Sequence, residues 1–208
     1  MKKYSVPRNF HSSIGHNDFE QYQTLRKNAQ RESNSYWESV AKRIDWFENW
    51  TSINNTDFSR AHIEWFSNGK LNVSYNCIDR HIENGLGEKT ALIWQSNDPT
   101  ISKNISYNDL LEKVSLFANG LKRAGINKGD RVCIYMQMIP EAIVAMLACA
   151  RIGAVHSVVF GAFSSDALKN RINDSDCKLL ITQDNGVRGL KFDIPMKENA
   201  DKIADECP

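Results

Sequence analysis

From about residue 90 to the C-terminus, short apolar runs alternate with helical segments, and this alternation constrains the possible folds more than any other feature. Strand-like runs occupy 90–94, 131–136, 154–160 and 178–182. Strands separated by helices of about 10–15 residues form βαβ crossovers. The sequence therefore predicts an α/β fold with a mostly parallel sheet flanked by helices on both faces. We expect all four strands in one sheet, with the last three mutually parallel.

Residues that favour helix ends support this assignment. Ser106 and Asp109 have the spacing of a capping box, and the helical face that follows them stops at Gly125. Pro140 stands where a first-turn proline would open the next helix. The run at 105–107 is predicted to pair with the first strand as a hairpin. The predicted helices run from about 106 to 124, 140 to 152 and 164 to 174.

The chain before residue 89 has a different texture. Residues 1–30 are polar and show no sustained periodicity, so no secondary structure is predicted there. Ser35 and Glu38 are spaced as a capping box before an amphipathic helix at 36–49, and a short helix is predicted around 75–82. We therefore expect two regions. These are a mainly helical N-terminal extension with a polar tail at 1–88, and the first part of an α/β domain, incomplete at its C-terminal end, at 89–208.

The composition argues against several classes of protein. Basic and acidic residues nearly cancel to a net charge of +1, which removes the electrostatic argument for a nucleic-acid or anionic-membrane partner. No segment approaches the roughly 20 consecutive apolar residues of a membrane span, and residues 1–28 lack the apolar run of a secretory signal. Five cysteines lie scattered without a CxxC pair, which suits reduced thiols. We expect a cytoplasmic protein.

Ligands of parallel sheets bind at the carboxyl ends of the strands, so the loops after Met136, Phe160 and Thr182 are the candidate sites. In the segment 160–165 a glycine permits close approach of a ligand to the backbone, and a helix N-terminus presents free N–H groups to an anion. Most turns of this kind bind nothing. Spacing alone therefore favours a structural role for this segment.

A second candidate is the loop at 184–191, which places Arg188 and Lys191 around a glycine. Arg188 can hold a phosphate with its planar guanidinium while Lys191 adds a point charge, which suits a diphosphate or a 3'-phosphorylated ribose. Basic residues in exposed loops are common. Without further evidence, a solvated turn is the favoured interpretation.

Other polar residues lack the spacing of a catalytic or metal site. Three histidines have no partner at metal-ligand intervals, namely His62, His81 and His156, and the last is predicted to be a hydrogen-bonded core residue. Asp79 and Glu83 are four apart on a helix, which is more typical of a solvated face than of an acid–base pair. There is neither a GxSxG nucleophile elbow nor a Walker A loop. We expect no catalytic residue and no metal ligand in this segment.

Three stretches are far longer than a short nucleotide motif: LNVSYNCIDRH at 71–81, MIPEA at 138–142, and AMLACARIGAVHSVV at 145–159. Together with the Phe160-Gly161 pair and the segment containing Trp46 and Phe47, they closely resemble the AMP-forming acetyl-CoA synthetases, a family of the acyl-adenylate-forming superfamily. The resemblance covers most of residues 35–208. It implies that the α/β region is part of the large N-terminal domain of such an enzyme.

The resemblance implies a reaction in two halves. Acetate attacks the α-phosphate of Mg²⁺-ATP to give acetyl-AMP and pyrophosphate, and the thiol of CoA then takes the acetyl group and releases AMP. It also implies a CoA site, with the nucleotide end contacted by Arg188, Gly189, Leu190 and Lys191 and the pantetheine near Phe160, Gly161 and Ala162. The family's phosphate loop, acyl pocket and catalytic lysine would lie beyond Pro208. The segment alone is therefore expected to be inactive and to bind no cofactor.

The chain departs from the family pattern at three positions: Leu190 stands where a small residue is usual, Ala162 replaces a glycine, and Gln137 stands where proline is common. Ala162 adds a methyl where close backbone approach is needed. Two alternatives stay open, a propionyl-CoA or acetoacetyl-CoA synthetase segment and a non-catalytic CoA-binding or interaction module. A dinucleotide-dependent oxidoreductase is disfavoured because no GxGxxG opens a helix.

Overall fold

The structure, a computed structural model, describes residues 19–188 and 191–208, apart from the side chains at 188 and 191–193. The chain divides after Leu71 into two compact units, and the predicted domain boundary at residue 88 stays a prediction. The first unit contains α1 (Phe19–Arg31), α2 (Ser33–Ala41), β1 (Ser52–Asn54) and β2 (Trp65–Ser67), and β1 pairs antiparallel with β2.

The two N-terminal helices differ from the prediction. α1 forms where no secondary structure was predicted, and none of its residues is buried. α2 begins at Ser33 and ends at Ala41, and its N-cap, Glu32, makes no side-chain cap hydrogen bond. The predicted capping box at Ser35 and the helix to residue 49 are therefore wrong.

An aromatic cluster explains why the helical period was misleading here. Trp46 folds back on α2, where its Nε1 donates to the carbonyl oxygen of Ala41 at 3.0 Å. Its ring centroid lies 5.0 Å from that of Trp50 and 5.4 Å from that of Phe66. A Cβ on Gly69 would come within 2.6 Å of the Trp46 ring, so a glycine is needed beneath it. The aromatic residues after Ala41 thus pack in a loop cluster instead of along a helix face.

The second unit follows the predicted order of elements from about residue 90 to Thr182, and the capping box at Ser106 forms in both directions. The single short helix predicted around 75–82 is instead two helices that are separated at Ile78, and the strands and helix after Thr182 were not predicted. The elements are α3 (Val73–Cys77), α4 (Asp79–Glu83), β3 (Thr90–Gln95), β4 (Ser102–Ser106), α5 (Tyr107–Arg123), β5 (Arg131–Met136), α6 (Pro140–Ile152), β6 (Val155–Phe160), α7 (Ser165–Ser175), β7 (Leu179–Thr182), β8 (Gly186–Arg188), β9 (Lys191–Ile194) and α8 (Met196–Asp201).

The central sheet has the strand order β6-β5-β7, and all its pairings are parallel, as predicted. The prediction that β3 joins this sheet is wrong. In the described part of the chain β3 pairs only with β4, as the predicted antiparallel hairpin, with Leu92 opposite Ile105 and Trp94 opposite Lys103. The two strands are joined by a short connection, which favours the local antiparallel pairing over a crossover into the sheet.

β5 is the centre of the core. Four of its residues, Val132, Cys133, Ile134 and Tyr135, are at most 1% exposed. Val132 packs in one apolar cluster with α5 and α6, while Cys133 and Tyr135 point to the other face, into a cluster formed with α7 and α8. The sheet is thus covered by helices on both faces, as predicted for βαβ units. No helix in the described ranges is long and apolar enough to cross a bilayer.

β6 lies at the edge of the sheet, and this overturns the prediction for His156. That side chain is exposed, as are Val155 (52%) and Val158 (50%), whereas Val159 is fully buried. His156 sits opposite Val132 in the ladder, but only one side of β6 has a strand partner among the described residues. An apolar run predicts a strand without showing whether that strand is central or at an edge.

Asp79 and Glu83 also differ from the prediction of a simple solvated face. Asp79 accepts two hydrogen bonds from the guanidinium of Arg151, at 2.8 and 2.7 Å, and its side chain is only 18% exposed. Glu83 accepts from the hydroxyl of Tyr75 at 2.6 Å. The pair between Asp79 and Arg151 joins α4 to α6, and so fastens the short helices to the central layer.

Candidate functional site

The carboxyl ends of β5 and β6 border a cavity of about 460 Å³, at the edge of the sheet where a ligand site was predicted. The segments that follow β5, β6 and β7 all contribute to its wall, together with the end of β3. Its wall includes Met136, Gln137, Phe160, Gly161, Ala162, Gln183 and Val187. The three candidate loops therefore meet at one site.

The turn after β6 brings together Phe160, Gly161 and Ala162. Phe160 is 62% exposed, with its ring in edge contact with that of Phe163 at 6.1 Å between centroids. A Cβ on Gly161 would lie 3.1 to 3.3 Å from atoms of Met196, Gln137 and Met136, so the backbone is packed closely there. The turn presents an exposed aromatic ring beside a backbone that only a glycine fits without displacement of its neighbours.

Hydrogen bonds from neighbouring residues fix the position of this turn. The buried hydroxyl of Tyr135 donates to the carbonyl oxygen of Phe163 at 2.9 Å. Ser164 caps α7, because its hydroxyl accepts from the N–H of Ala167 at 3.3 Å. One of the N–H groups that an anion would use at this helix N-terminus is therefore taken by Ser164. The geometry favours a positioned backbone turn over a phosphate site at α7.

Two glutamines that the site prediction did not include connect the other loops. The backbone N–H of Gln137 donates to Oε1 of Gln183 at 2.7 Å, and the N–H of Val187 donates to Oε1 of Gln137 at 2.6 Å. Nε2 of Gln183 in turn donates to the carbonyl oxygen of Asn185 at 2.8 Å. The amides thus join the end of β5 to the segment leading into β8. The only sequence feature that marked Gln137 was its departure from the family's usual proline.

The basic loop is described only in part. β8 and β9 form an antiparallel pair in which Arg188 lies opposite Lys191. Gly189 and Leu190 lie outside the described residues, and so do the side chains of Arg188 and Lys191. The structure therefore shows that the backbone of this hairpin follows the cavity wall at Val187. The assignment of the four residues to CoA stays a prediction.

The far wall of the cavity comes from β3. Nε1 of Trp94 donates to the carbonyl oxygen of Met138 at 2.8 Å, which ties the end of β3 to the segment after β5. Lys103 stands over the Trp94 ring, with Nζ 5.6 Å from its centroid. The side chain of Met138 is 81% exposed. The end of β3 and the segment after it contribute Trp94, Gln95, Ser96 and Asn97 to the cavity, so an aromatic ring stands beside polar side chains there.

None of the described cysteines and histidines forms a reactive group at this site. Burial is the main cause that raises the pKa of Cys133 to about 12, so its thiol remains protonated. Nε2 of His62 lies 3.5 Å from Oε2 of Glu64, and the ring of His81 lies tilted against that of Tyr107, with 4.9 Å between the centroids. Within 19–188 and 191–208, no three His, Cys, Asp or Glu side chains are grouped closely enough to hold a metal ion.

A larger open groove of about 1160 Å³ lies elsewhere, along β7. It is lined by residues of α5 and α6, such as Phe117 and Val144, and by Leu179 to Thr182 of β7. The candidate loops at 160–162 and 186–188 are not among its lining residues. We therefore place the candidate site at the smaller cavity, where the predicted loops meet.

Comparison with known proteins agrees with the fold and with the resemblance found in the sequence. A model of the AMP-binding enzyme family matches residues 79–207, so the chain belongs to the AMP-binding enzyme family. A second model, described as the acetyl-coenzyme A synthetase N-terminus, matches residues 22–77. The relationship thus extends over both units, and the similarity to acetyl-CoA synthetases is confirmed.

Curated relatives carry the same relationship over the length of the chain. An acetyl-coenzyme A synthetase of Magnetococcus marinus is 49% identical over 209 residues, which cover 100% of this chain and 32% of that protein. Acetyl-coenzyme A synthetase 2 of Pseudomonas putida is 51% identical over 91% of this chain and 29% of its own length. The acetyl-coenzyme A synthetase of Agrobacterium fabrum is 53% identical over 90% of this chain and 29% of its own length. The chain spans about a third of the length of these relatives.

Proposed function

We propose that this chain is the N-terminal part of an AMP-forming acetate–CoA ligase, which converts acetate, ATP and CoA to acetyl-CoA, AMP and pyrophosphate through acetyl-AMP. The observation that carries the proposal is the 49% identity to an acetyl-coenzyme A synthetase over the whole chain. The cavity at the strand ends supports it, because ligands of open α/β sheets bind there. The five described cysteines are free, which agrees with a cytoplasmic location.

Within this function, the segment contributes the CoA side of the site. Arg188 and Lys191, with Gly189 and Leu190 between them, bind the phosphates of the CoA nucleotide. The turn Phe160-Gly161-Ala162 lies along the pantetheine, with the exposed Phe160 ring as an apolar contact. The two segments border the same cavity through Val187 and the turn itself. Acetate and ATP, which brings Mg²⁺ as part of the substrate, bind to parts of the protein outside this segment.

The direct test uses the complete protein that carries this chain. Acetate-dependent exchange of pyrophosphate into ATP is expected, and CoA should then yield acetyl-CoA. Propionate and acetoacetate are the matched alternative substrates, because ligases for these acids share the same N-terminal sequence features. A higher kcat/KM with either acid than with acetate would overturn acetate as the substrate.

Two further observations distinguish an enzyme from a non-catalytic CoA-binding module. The reading frame after Pro208 should encode a Ser/Thr/Gly-rich loop ending in lysine within about a hundred residues, followed by the rest of the adenylation site. The 208-residue chain alone should show no acetate-dependent exchange. Exchange by that chain alone, or a complete protein that binds CoA without any exchange activity, would contradict the proposal.

A further inference from the structure

Gln137 stands between the two segments that the proposed function assigns to CoA. Its Cγ lies 3.2 Å from the position a Cβ would take on Gly161, at the turn after β6. Its Oε1 accepts from the N–H of Val187 at 2.6 Å, at the start of β8. One side chain therefore contacts both the turn and the hairpin that carries Arg188.

The hairpin side of this contact leaves no room for adjustment. A Cβ on Gly186 would lie 2.5 Å from Nε2 of Gln137 and 2.7 Å from its Cδ. A glutamine side chain can ordinarily move away from such a contact, but here movement would break the hydrogen bond from Val187. The backbone of Gln137 is also fixed, because its N–H donates to Gln183, whose amide donates to Asn185 on the same approach to β8. The amide of Gln137 and the glycine at 186 are thus fitted to each other.

We propose that Gln137 is a positioning residue for CoA: its side chain sets the place of the 186–188 strand relative to the turn at Gly161, and so aligns the nucleotide site with the pantetheine site. This rests on the proposed function. Gln137 does not bind CoA phosphates itself, and it acts through the backbone of Val187. Loss of its amide should therefore weaken the use of CoA and leave the acetyl-adenylate half-reaction unchanged.

The test compares four variants of the complete protein: Gln137→Ala, Gly186→Ala, the double variant, and Gly120→Ala as control. A Cβ on Gly120 meets nothing within 4 Å, so this glycine-to-alanine change on α5 should leave both half-reactions as they are. Gln137→Ala should raise the KM for CoA by roughly 3- to 10-fold, the loss expected for one hydrogen bond. Gly186→Ala should do the same, because its methyl displaces the amide.

The double variant gives the decisive comparison. The three atoms nearest to a Cβ on Gly186 all belong to the Gln137 amide, which the double variant lacks. The double variant should therefore resemble Gln137→Ala within about 2-fold, whereas independent effects would multiply. Pyrophosphate exchange should match the wild type in all variants, and a thermal melt checks that each is folded. If Gln137→Ala fails to fold, Gly186→Ala alone must still raise the KM for CoA.

The outcomes distinguish the two proposals. A wild-type protein without acetate-dependent exchange would overturn the proposed function, and this assignment with it. A wild-type protein with exchange, in which Gln137→Ala leaves the KM for CoA unchanged or slows exchange as much as it raises that KM, would overturn only the positioning role. Multiplying effects in the double variant would also overturn it, because the glycine and the amide would then act separately.

Discussion

Asp79→Asn should destabilise the chain markedly, because Asp79 is the acceptor for a partly buried arginine. Both oxygens of Asp79 accept from Arg151, at 2.8 and 2.7 Å, and the two side chains are 18% and 28% exposed. The hydrogen bonds that Arg151 donates to Asp79 are the main cause that raises the pKa of Arg151. Without them the guanidinium still stays charged, because arginine is not deprotonated in proteins. Nη1 of Arg151 also donates to the hydroxyl oxygen of Ser74, at 3.4 Å.

Losing one charge-assisted hydrogen bond costs about 1.5 to 3 kcal/mol, and for a chain of this size each kcal/mol lowers Tm by roughly 2 to 4 °C. Asp79→Asn should therefore lower Tm by about 3 to 12 °C in a thermal melt followed by circular dichroism. The control is Glu198→Gln, which removes a 2.8 Å ion pair with Lys202 that is more than half exposed on both sides. It should cost at most about 0.5 kcal/mol, because exposed helix pairs contribute little.

A double-mutant cycle with Arg151→Met completes the test. The cycle compares Asp79→Leu, Arg151→Met and the double variant. Removing both charges leaves neither member of this pair without its partner. The double variant should therefore lose less unfolding free energy than the sum of the two single variants, by at least about 1 kcal/mol. Additive losses, or an Asp79→Asn variant no less stable than Glu198→Gln, would refute the reasoning that this pair fastens α4 to α6.

The remaining predictions concern the helix cap and the thiols. Ser106→Ala removes the hydroxyl that caps α5 and should lower the unfolding free energy by about 0.5 to 2 kcal/mol in urea titration, and a change below 0.3 kcal/mol would contradict the cap. At pH 8 a thiol reagent should label Cys77, which is exposed, and should label Cys133 and Cys149 only after unfolding. Burial raises the pKa of Cys133 to about 12, above its ordinary value of 9.0. The contribution of the protonated thiol to the unfolding free energy is therefore complete below pH 9 and is lost as pH rises from 9 towards 12. The urea midpoint should accordingly fall less between pH 8 and 10 in Cys133→Val than in the wild type.

The parallel sheet was predictable because its sequence marks are local. Pro140 at the start of α6, Gly153 at its end and the Ser106 capping box each set a boundary through the chain's own backbone geometry. α1 was not predictable in this way, because it has no buried face to give a period, and for α2 only the presence of a helix was predicted and not its ends. The aromatic residues after Ala41 have a helical spacing by chance. They lie in a loop cluster, in which Trp46 packs on Phe66.

The location of the candidate site was predictable from the sequence, but the side-chain contacts that join its loops were not. Strand order directs a ligand to the loops after β5, β6 and β7, and these loops do line one cavity. The role of Gln137 depends on contacts with Gly161 and Val187, which lie 24 and 50 residues further along the chain and meet only in the folded sheet. Likewise, the exposure of His156 depends on which strand lies at the edge, and no local pattern gives that order.

The central claim, that this segment supplies the CoA side of an acetate–CoA ligase, is tested most directly by Arg188→Ala in the complete protein. Pyrophosphate exchange and the CoA dependence of acetyl-CoA formation are measured on the same preparation, with Arg123→Ala, an exposed arginine of α5, as the control. Losing a charge-assisted phosphate contact costs about 1.5 to 3 kcal/mol, so the KM for CoA should rise roughly 10- to 100-fold while exchange is nearly unchanged. Lys191→Ala should act in the same way but more weakly, because solvent and salt partly replace a single ammonium group, which binds phosphate as a point charge. Exchange slowed by Arg188→Ala as much as the KM for CoA is raised would contradict the claim.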